Sequence, residues 1–243
     1  MNLHVTSVSH AEKPGEVANA LEDTGYVVLR GAISNEDLTL AHQWIRGATE
    51  TDKPVADALQ PVYEANGQVR KIRRLAFHDT EFWLPWIHRS NIARLASELL
   101  GDRCTLILHA SFKKPARVGS PVVPHQDQAL WETPYPGAVT AWVALEDATP
   151  ENGCLEMYPG SHKRGEIPHE INRTEDWHEA IDVQAQGLTP QPVPMRAGDV
   201  ILWHRYMAHS SGPNLSERDR MAMVMVFADA GDPDFKAYDR LAI

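Results

Sequence analysis

Three residues far apart in the chain have the types and spacing to share one metal ion. In VPHQDQALWETPYPG, residues 123–137, His125 and Asp127 stand two positions apart between prolines. On a β-strand the side-chain period of two would put the imidazole and the carboxylate on one side and Gln126 on the other. Such a pair is half of a metal site or a buried ion pair. With 12 histidines and 33 acidic residues in the chain, one match of this kind decides nothing. A second signal lies in GDVILWHRYMAHSSGPNLSERDR, where His209 falls at the point where an apolar run gives way to the polar turn SSGPN. Two neutral imidazoles and one carboxylate on one face of a metal leave three coordination positions open, which is the ligand set of non-haem Fe(II) oxygenases. Arg220 follows His209 by eleven residues and precedes the alternating run MAMVMVFA. A guanidinium at the start of that strand can pair bidentately with the carboxylate of a cosubstrate.

Residues this distant need a closed β-fold to meet, and the second part of the chain reads as one. After Gly101 come short runs of β character (CTLILHASF, AVTAWVAL, CLEMYPG, PVPMRAGDVILWH, MAMVMVFA) punctuated by Pro and Gly, as in a sandwich or barrel. The first hundred residues read as mostly helical support. KPGEVANALEDTG ends at Gly25, SNEDLTLAHQWIRGATE opens with Ser34 and an approximate capping box to Asp37, and SNIARLASELLG closes at Gly101. YVVLRGAI between the first two reads as a short strand. The polar, weakly periodic stretch at about 163–192 reads as an insertion over the rim of the β-fold, its functional version a lid.

Length and composition bound the rest. The 243 residues fit one domain with a substantial core, and 43% hydrophobic and 23% charged residues are ordinary globular usage. A net charge of −10 argues against nucleic acid or an anionic membrane surface as the main partner. The densest basic cluster, RKIRR at 70–74, reads as a solvated face or a strand edge. There is no secretory-type apolar stretch at the N-terminus and no membrane-length apolar run, and two cysteines make no disulfide framework, so a cytoplasmic location is expected. Nothing in the sequence speaks to oligomeric state.

The order of three blocks, His125-x-Asp127, then AWVALEDATPENGCLEMYPGSHKRG, then HSSGPNLSERDR ending at Arg220, closely resembles the phytanoyl-CoA dioxygenase family of Fe(II)/2-oxoglutarate oxygenases over roughly residues 20–228. The resemblance implies a single oxygenase domain over 1–243, a double-stranded β-helix (jelly roll, cupin-like) at 101–230 with flanking α-helices. It implies iron bound by His125, Asp127 and His209, and 2-oxoglutarate bound by Arg220 with help from Ser211. Gln126 and Trp142 match pocket-lining positions, and Lys71 in VRKI loosely matches a cosubstrate-contacting lysine. The expected activity is oxidation of a C–H bond of a small organic molecule, a metabolite or natural-product intermediate, with O2 as co-reactant and with decarboxylation of 2-oxoglutarate to succinate and CO2. Hydroxylation is the expected outcome, with radical cyclisation or epimerisation as alternatives on the same cofactors. A cupin-like isomerase or lyase working without 2-oxoglutarate, and a non-catalytic metabolite-binding jelly roll, are the rival classes; the isomerase or lyase would have no need of Arg220.

Other residues carry weaker signals. Trp131 and Tyr135, in the Pro-rich loop after the metal motif, are candidates to contact substrate. Arg117 is a candidate for an anionic substrate group. Trp83, Trp86, Trp203 and Tyr206 read as packing residues, His204 as core or supporting, and His109, His162, His169 and His178 as surface or loop histidines.

Overall fold

The computed structural model describes residues 7–8, 14–50, 53–101, 104–130, 137–171, 179–229 and 240–243. The strands, in chain order, are β1 (Ser7–Val8), β2 (Tyr26–Leu29), β3 (Val62–Tyr63), β4 (Val69–Arg73), β5 (Cys104–Lys114), β6 (Val122–His125), β7 (Ala138–Ala144) and β8 (Leu155–Met157). They continue with β9 (Glu170–Ile171), β10 (Glu179–Ala180), β11 (Gln191–Val193), β12 (Val200–His204), β13 (His209–Ser211), β14 (Arg220–Asp229) and β15 (Leu241–Ala242). The helices are α1 (Pro14–Thr24), α2 (Asn35–Thr49), α3 (Leu75–His78), α4 (Thr80–Arg89) and α5 (Ile92–Leu100).

Two sheets pack face to face as a jelly roll. The larger runs β1-β2-β12-β7-β14-β5-β4-β3, with β15 also on β5, and the smaller runs β11-β8-β13-β6. The alternation of MAMVMVFA explains the layering. Met221, Met223, Met225 and Phe227 face outward into an apolar layer with Leu38, Trp83, Trp86 and Leu95 of the helices. Ala222 faces inward, among Trp142, Ile201 and Trp203 of the large sheet and Leu155, Met157 and Val193 of the small one. A strand buried on both faces carries apolar residues at both parities, which is why this run looks continuous in sequence.

The helices form where local signals and burial agree. Ser34 Oγ accepts from the Asp37 amide at 3.0 Å and starts α2, and α5 buries Ile92, Ala93, Leu95 and Ala96. Helix α4 was not expected from sequence, because Pro85 lies within it. It forms because Asp79 caps Phe82 N at 3.1 Å and because Trp83, Trp86 and Ile87 are fully buried against the sheet. The division at residue 100 is also less clean than expected: β2 and β4, from the helical part, are integral strands of the large sheet, and β4 hydrogen-bonds directly to β5.

Of the insertion at 163–192, residues 172–178 lie outside the described residues. The described parts are tied down. β9 pairs with β10, Ile181 N donates to Pro124 O at 2.8 Å, and Ile167, Ile181 and Leu188 bury against Tyr158 and Ala208.

His109 and His162, expected at the surface or in loops, are buried, His109 on β5 and His162 in the turn at Ser161–Arg164. His109 sits opposite Met225 on the helix-facing side of β5, edge-on to the Trp83 ring with centroids 4.7 Å apart. Neither ring nitrogen has a hydrogen-bond partner among the described residues, and burial pushes its pKa from 6.5 down to about 3. The unfolded chain therefore binds a proton at this imidazole between about pH 6.5 and 3 while the folded chain does not. Stability is intact above 6.5 and falls as pH drops toward 3. Replacing His109 by Leu is expected to flatten the pH dependence of unfolding free energy across that window by up to ~1.4 kcal/mol per pH unit. Denaturant melts of the metal-free protein at stepped pH measure it, and an unchanged slope would refute the assignment.

Candidate metal centre

His125, Asp127 and His209 meet where the two sheets open on a cavity of 710 Å³. His125 ends β6 and His209 begins β13, and the two are direct cross-strand partners, with ring centroids 4.3 Å apart. Asp127 reaches the same point by a different route from the one expected. The strand stops at His125, and Asp127 opens a 3₁₀ turn, Asp127–Leu130, so the common orientation comes from the end of a strand and not from its two-residue period. Asp127 Oδ1 lies 3.8 Å from His125 Nε2 and 3.7 Å from His209 Nε2, and one ligand atom from each residue falls within 4.8 Å of the others.

The surroundings leave the right atoms available. His125 Nδ1 is 2.8 Å from Val123 O, and His209 Nδ1 is 3.0 Å from Met207 O. A carbonyl can only accept, so each Nδ1 carries a hydrogen, which in the neutral ring leaves Nε2 to present its lone pair. Burial, with His209 next in size, pushes His125 down to about 3, which keeps it neutral and ready to ligate at neutral pH. Asp127 Oδ2 accepts from Thr140 Oγ1 at 2.5 Å and from Trp203 Nε1 at 2.8 Å, leaving Oδ1 toward the imidazoles. The Trp203 ring also packs on His209, centroids 4.6 Å apart. Sequence reasoning took Trp203 for a packing residue and did not single out Thr140. Their cross-strand pairing through β12 and β7 puts both on the cavity face, a register that no local pattern encodes.

Arg220 is buried in the same cavity at 3% exposure. Its Nη2 donates to Gly153 O at 2.8 Å, its Cζ lies 5.5 Å from the Trp142 ring centroid, and its Nε has no partner among the described residues. Burial brings its pKa to about 10, still charged at neutral pH. An orphaned, buried guanidinium N–H is a vacancy for an acceptor such as a carboxylate. The motif NGCLEMYPGSH has a structural part in this. Gly153 adopts φ +78°, and a Cβ there would stand 2.3 Å from Gly212 O, so only glycine lets the chain pass and offer its carbonyl to Arg220.

The other expected site residues divide. Trp142, Ser211 and Lys71 line the cavity. Lys71 Nζ lies 4.3 Å from the Phe112 ring centroid, and its pKa falls to about 7, first through burial and then through Arg73, opposed by Asp127. Gln126 does not line the cavity. It is fully buried, donates to Gly165 O and Tyr206 O at 2.9 and 2.6 Å, and accepts from Ile167 N at 2.8 Å, so it clamps the neighbouring loops. His169, expected in a loop, accepts from Gln126 N at 3.0 Å, so it too supports the metal strand. Arg117 is turned away from the cavity, ion-paired with Glu217 at the surface, where Nε donates at 2.6 Å. Its expected contact with substrate is withdrawn. Trp131 and Tyr135 lie outside the described residues. RKIRR is no solvated face: Arg70, Lys71, Arg73 and Arg74 all border the cavity.

A jelly roll that brings two lone-pair-presenting imidazoles, an oriented carboxylate and a buried arginine into one cavity belongs to the class of mononuclear facial-triad metal proteins. The chain belongs to the phytanoyl-CoA dioxygenase (PhyH) family of Fe(II)/2-oxoglutarate oxygenases, whose model matches residues 21–222. It is 35% identical over 147 residues to phytanoyl-CoA dioxygenase 1 of Oryza sativa subsp. japonica, a match covering 58% of this chain and 50% of that protein, so the chain spans half the length of that relative. It is 27% identical over 218 residues to a methylphosphonate hydroxylase of Gimesia maris, covering 88% of this chain and 80% of that one. In fold it resembles the epimerase SnoN, solved with Fe3+, alpha ketoglutarate and nogalamycin RO, with a TM-score of 0.70 at 24% identity over 89% of this chain and 84% of that one. Among the described residues no helix is long and apolar enough to cross a membrane.

The two donors on Asp127 Oδ2 are expected to set metal affinity. Thr140→Val and Trp203→Phe should each weaken Fe(II) binding by about 10- to 100-fold while leaving the protein folded. Anaerobic competition with a chromogenic chelator measures this, and wild-type affinity in both variants would show the carboxylate needs no such support.

Proposed function

We propose that the protein is an Fe(II)/2-oxoglutarate-dependent oxygenase that hydroxylates a C–H bond of a small organic molecule. The observation that carries this reading is the meeting of His125, Asp127 and His209 with buried Arg220 in one cavity. The donor set fits iron: two imidazoles and one carboxylate oxygen face a common point, and their remaining polar atoms are already satisfied. Arg220 fits the cosubstrate: its Nε–H, without a partner among the described residues, can donate to the distal carboxylate of 2-oxoglutarate. A cupin-like isomerase or lyase would have no use for this buried cation.

Bound at this triad, iron with 2-oxoglutarate and O2 supplies the oxidant, with succinate and CO2 as coproducts and one oxygen atom going to substrate. The chain's own residues position and protect. Arg220, backed by Gly153 O and the Trp142 face, sets the direction of the cosubstrate, and Ser211 and Lys71 border the same space. Ile107, Leu108, Val224 and Val226 give the cavity an apolar wall that keeps water from the reacting carbon. The carbonyl partners on both Nδ1 atoms keep the imidazoles in one tautomer throughout.

The relative named as a hydroxylase, matched over most of both chains, supports oxygen insertion as the outcome. The substrate volume available, within 710 Å³, supports a small molecule.

Anaerobic addition of Fe(II) and then 2-oxoglutarate to the apoprotein is expected to produce a visible metal-to-ligand charge-transfer band only when both are present. Arg220→Ala should raise the 2-oxoglutarate concentration needed for half the band by at least about tenfold. Metal binding with no band in the wild type would overturn the oxygenase reading.

A further inference from the structure

We infer that the substrate carries an oxyanionic group, and that Arg73 on strand β4 binds it. The inference rests on the oxygenase reading and names the substrate class for the same site.

The first observation is charge. The chain as a whole is acidic, with 33 Asp and Glu against 23 Lys and Arg. The cavity reverses this: seven lysine and arginine side chains border it, and Asp127 is its one acidic residue among those described. Asp127 and the two carboxylates of 2-oxoglutarate would bring three negative charges, and a bound metal adds positive charge of its own. A cluster of like charges around a partly enclosed cavity raises the local concentration of anions and is costly without one.

The second observation is which cations are engaged. Lys114 Nζ donates to Ser120 O and Gly212 O at 2.7 and 2.6 Å. Lys113 pairs with Glu50 and Asp219. Arg70 donates to Pro121 O at 3.1 Å, and Arg220 is reserved for the cosubstrate by its place beside Trp142. Lys71 lies over Phe112, and Arg74 Cζ lies 5.6 Å from the Phe77 ring centroid. The Arg73 side chain makes no hydrogen bond or ion pair with any described residue, yet it is half-buried at the cavity wall.

The third observation is register. Lys71 stands opposite Phe112 and Arg73 opposite Ala110, while Ile72 between them turns into the helical layer. Ala110 in turn pairs with Val224, and Val224 with Trp142, so Arg73 shares the cavity face with the residue beside Arg220. Arg73 lies two residues beyond Lys71, roughly 7 Å further along the strand, and Lys71 is close enough to Asp127 for the carboxylate to raise its pKa. An anion held at Arg73 would leave the rest of a short molecule along Leu108, Val224 and Val226, leading toward the triad. The guanidinium fork suits a planar carboxylate or a tetrahedral phosphonate.

The test uses enzyme loaded anaerobically with Fe(II) and saturating 2-oxoglutarate, titrated calorimetrically with butyrate, ethylphosphonate and neutral butyramide. Wild type, Arg73→Gln and Arg73→Lys are compared, and the charge-transfer band is recorded for each. The expected result is binding of at least one anion with no binding of butyramide, a loss of at least about tenfold in Arg73→Gln, and partial recovery in Arg73→Lys. The arm that binds tells carboxylate from phosphonate. Equal anion affinity in wild type and Arg73→Gln, no anion binding to wild type, or preferred binding of butyramide would each overturn the inference while the band leaves the oxygenase reading standing. Absence of the band in wild type would overturn both.

Discussion

A carboxylate placed beside two imidazoles in a buried cleft needs its second oxygen satisfied, and the way this is done at Asp127 governs the site. Thr140 and Trp203 both donate to Oδ2, and that leaves Oδ1 turned toward the two Nε2 atoms. The donors come from β7 and β12, central strands of the large sheet, whereas the imidazoles come from β6 and β13 of the small one. The metal centre is thus assembled across the sandwich, and it holds its shape only while the two sheets keep their spacing. The apolar layer of Trp142, Ile201, Leu155 and Met157 between them is therefore as much a part of the centre as the ligands.

The same dependence reaches Arg220. Its guanidinium is held by Gly153 O, at a turn whose glycine lies against Gly212, while Lys114 draws Gly212 O from the other side. A chain that runs through β5, the turn before β8 and the turn after β13 thus fixes one cation at the start of β14. Burial alone would make that cation expensive, and the bond to a carbonyl offsets only part of the cost. A buried arginine with one N–H unpartnered among the described residues stores a preference for an anion.

Charge distribution separates this cavity from the rest of the molecule. The chain carries a net charge of −10, while the cationic wall of the cavity selects among small molecules for those that carry negative charge. Strand β4 makes that wall by placing Lys71 and Arg73 inward and Ile72 outward. The short run RKIRR serves cavity and core at once.

The residues that could be read from sequence were those whose meaning is local or carried by ordered motifs. The apolar run MAMVMVFA read as a strand, Ser34 and Asp37 marked the start of α2, and His125, Asp127, His209 and Arg220 stood out through residue type and spacing. Tertiary structure decided what depends on register between distant strands. It assigned Thr140 and Trp203 to Asp127, moved Gln126 from the pocket to a loop clamp, sent Arg117 to Glu217 at the surface and brought RKIRR to the cavity. It also formed α4 around Pro85, because burying Trp83 and Trp86 outweighs a poor local propensity. The physical reason is the same throughout. Backbone periodicity and caps act over a few residues and are written in them, whereas a hydrogen-bond partner or a cavity wall is fixed by which strands lie side by side, and that is a property of the whole packed chain.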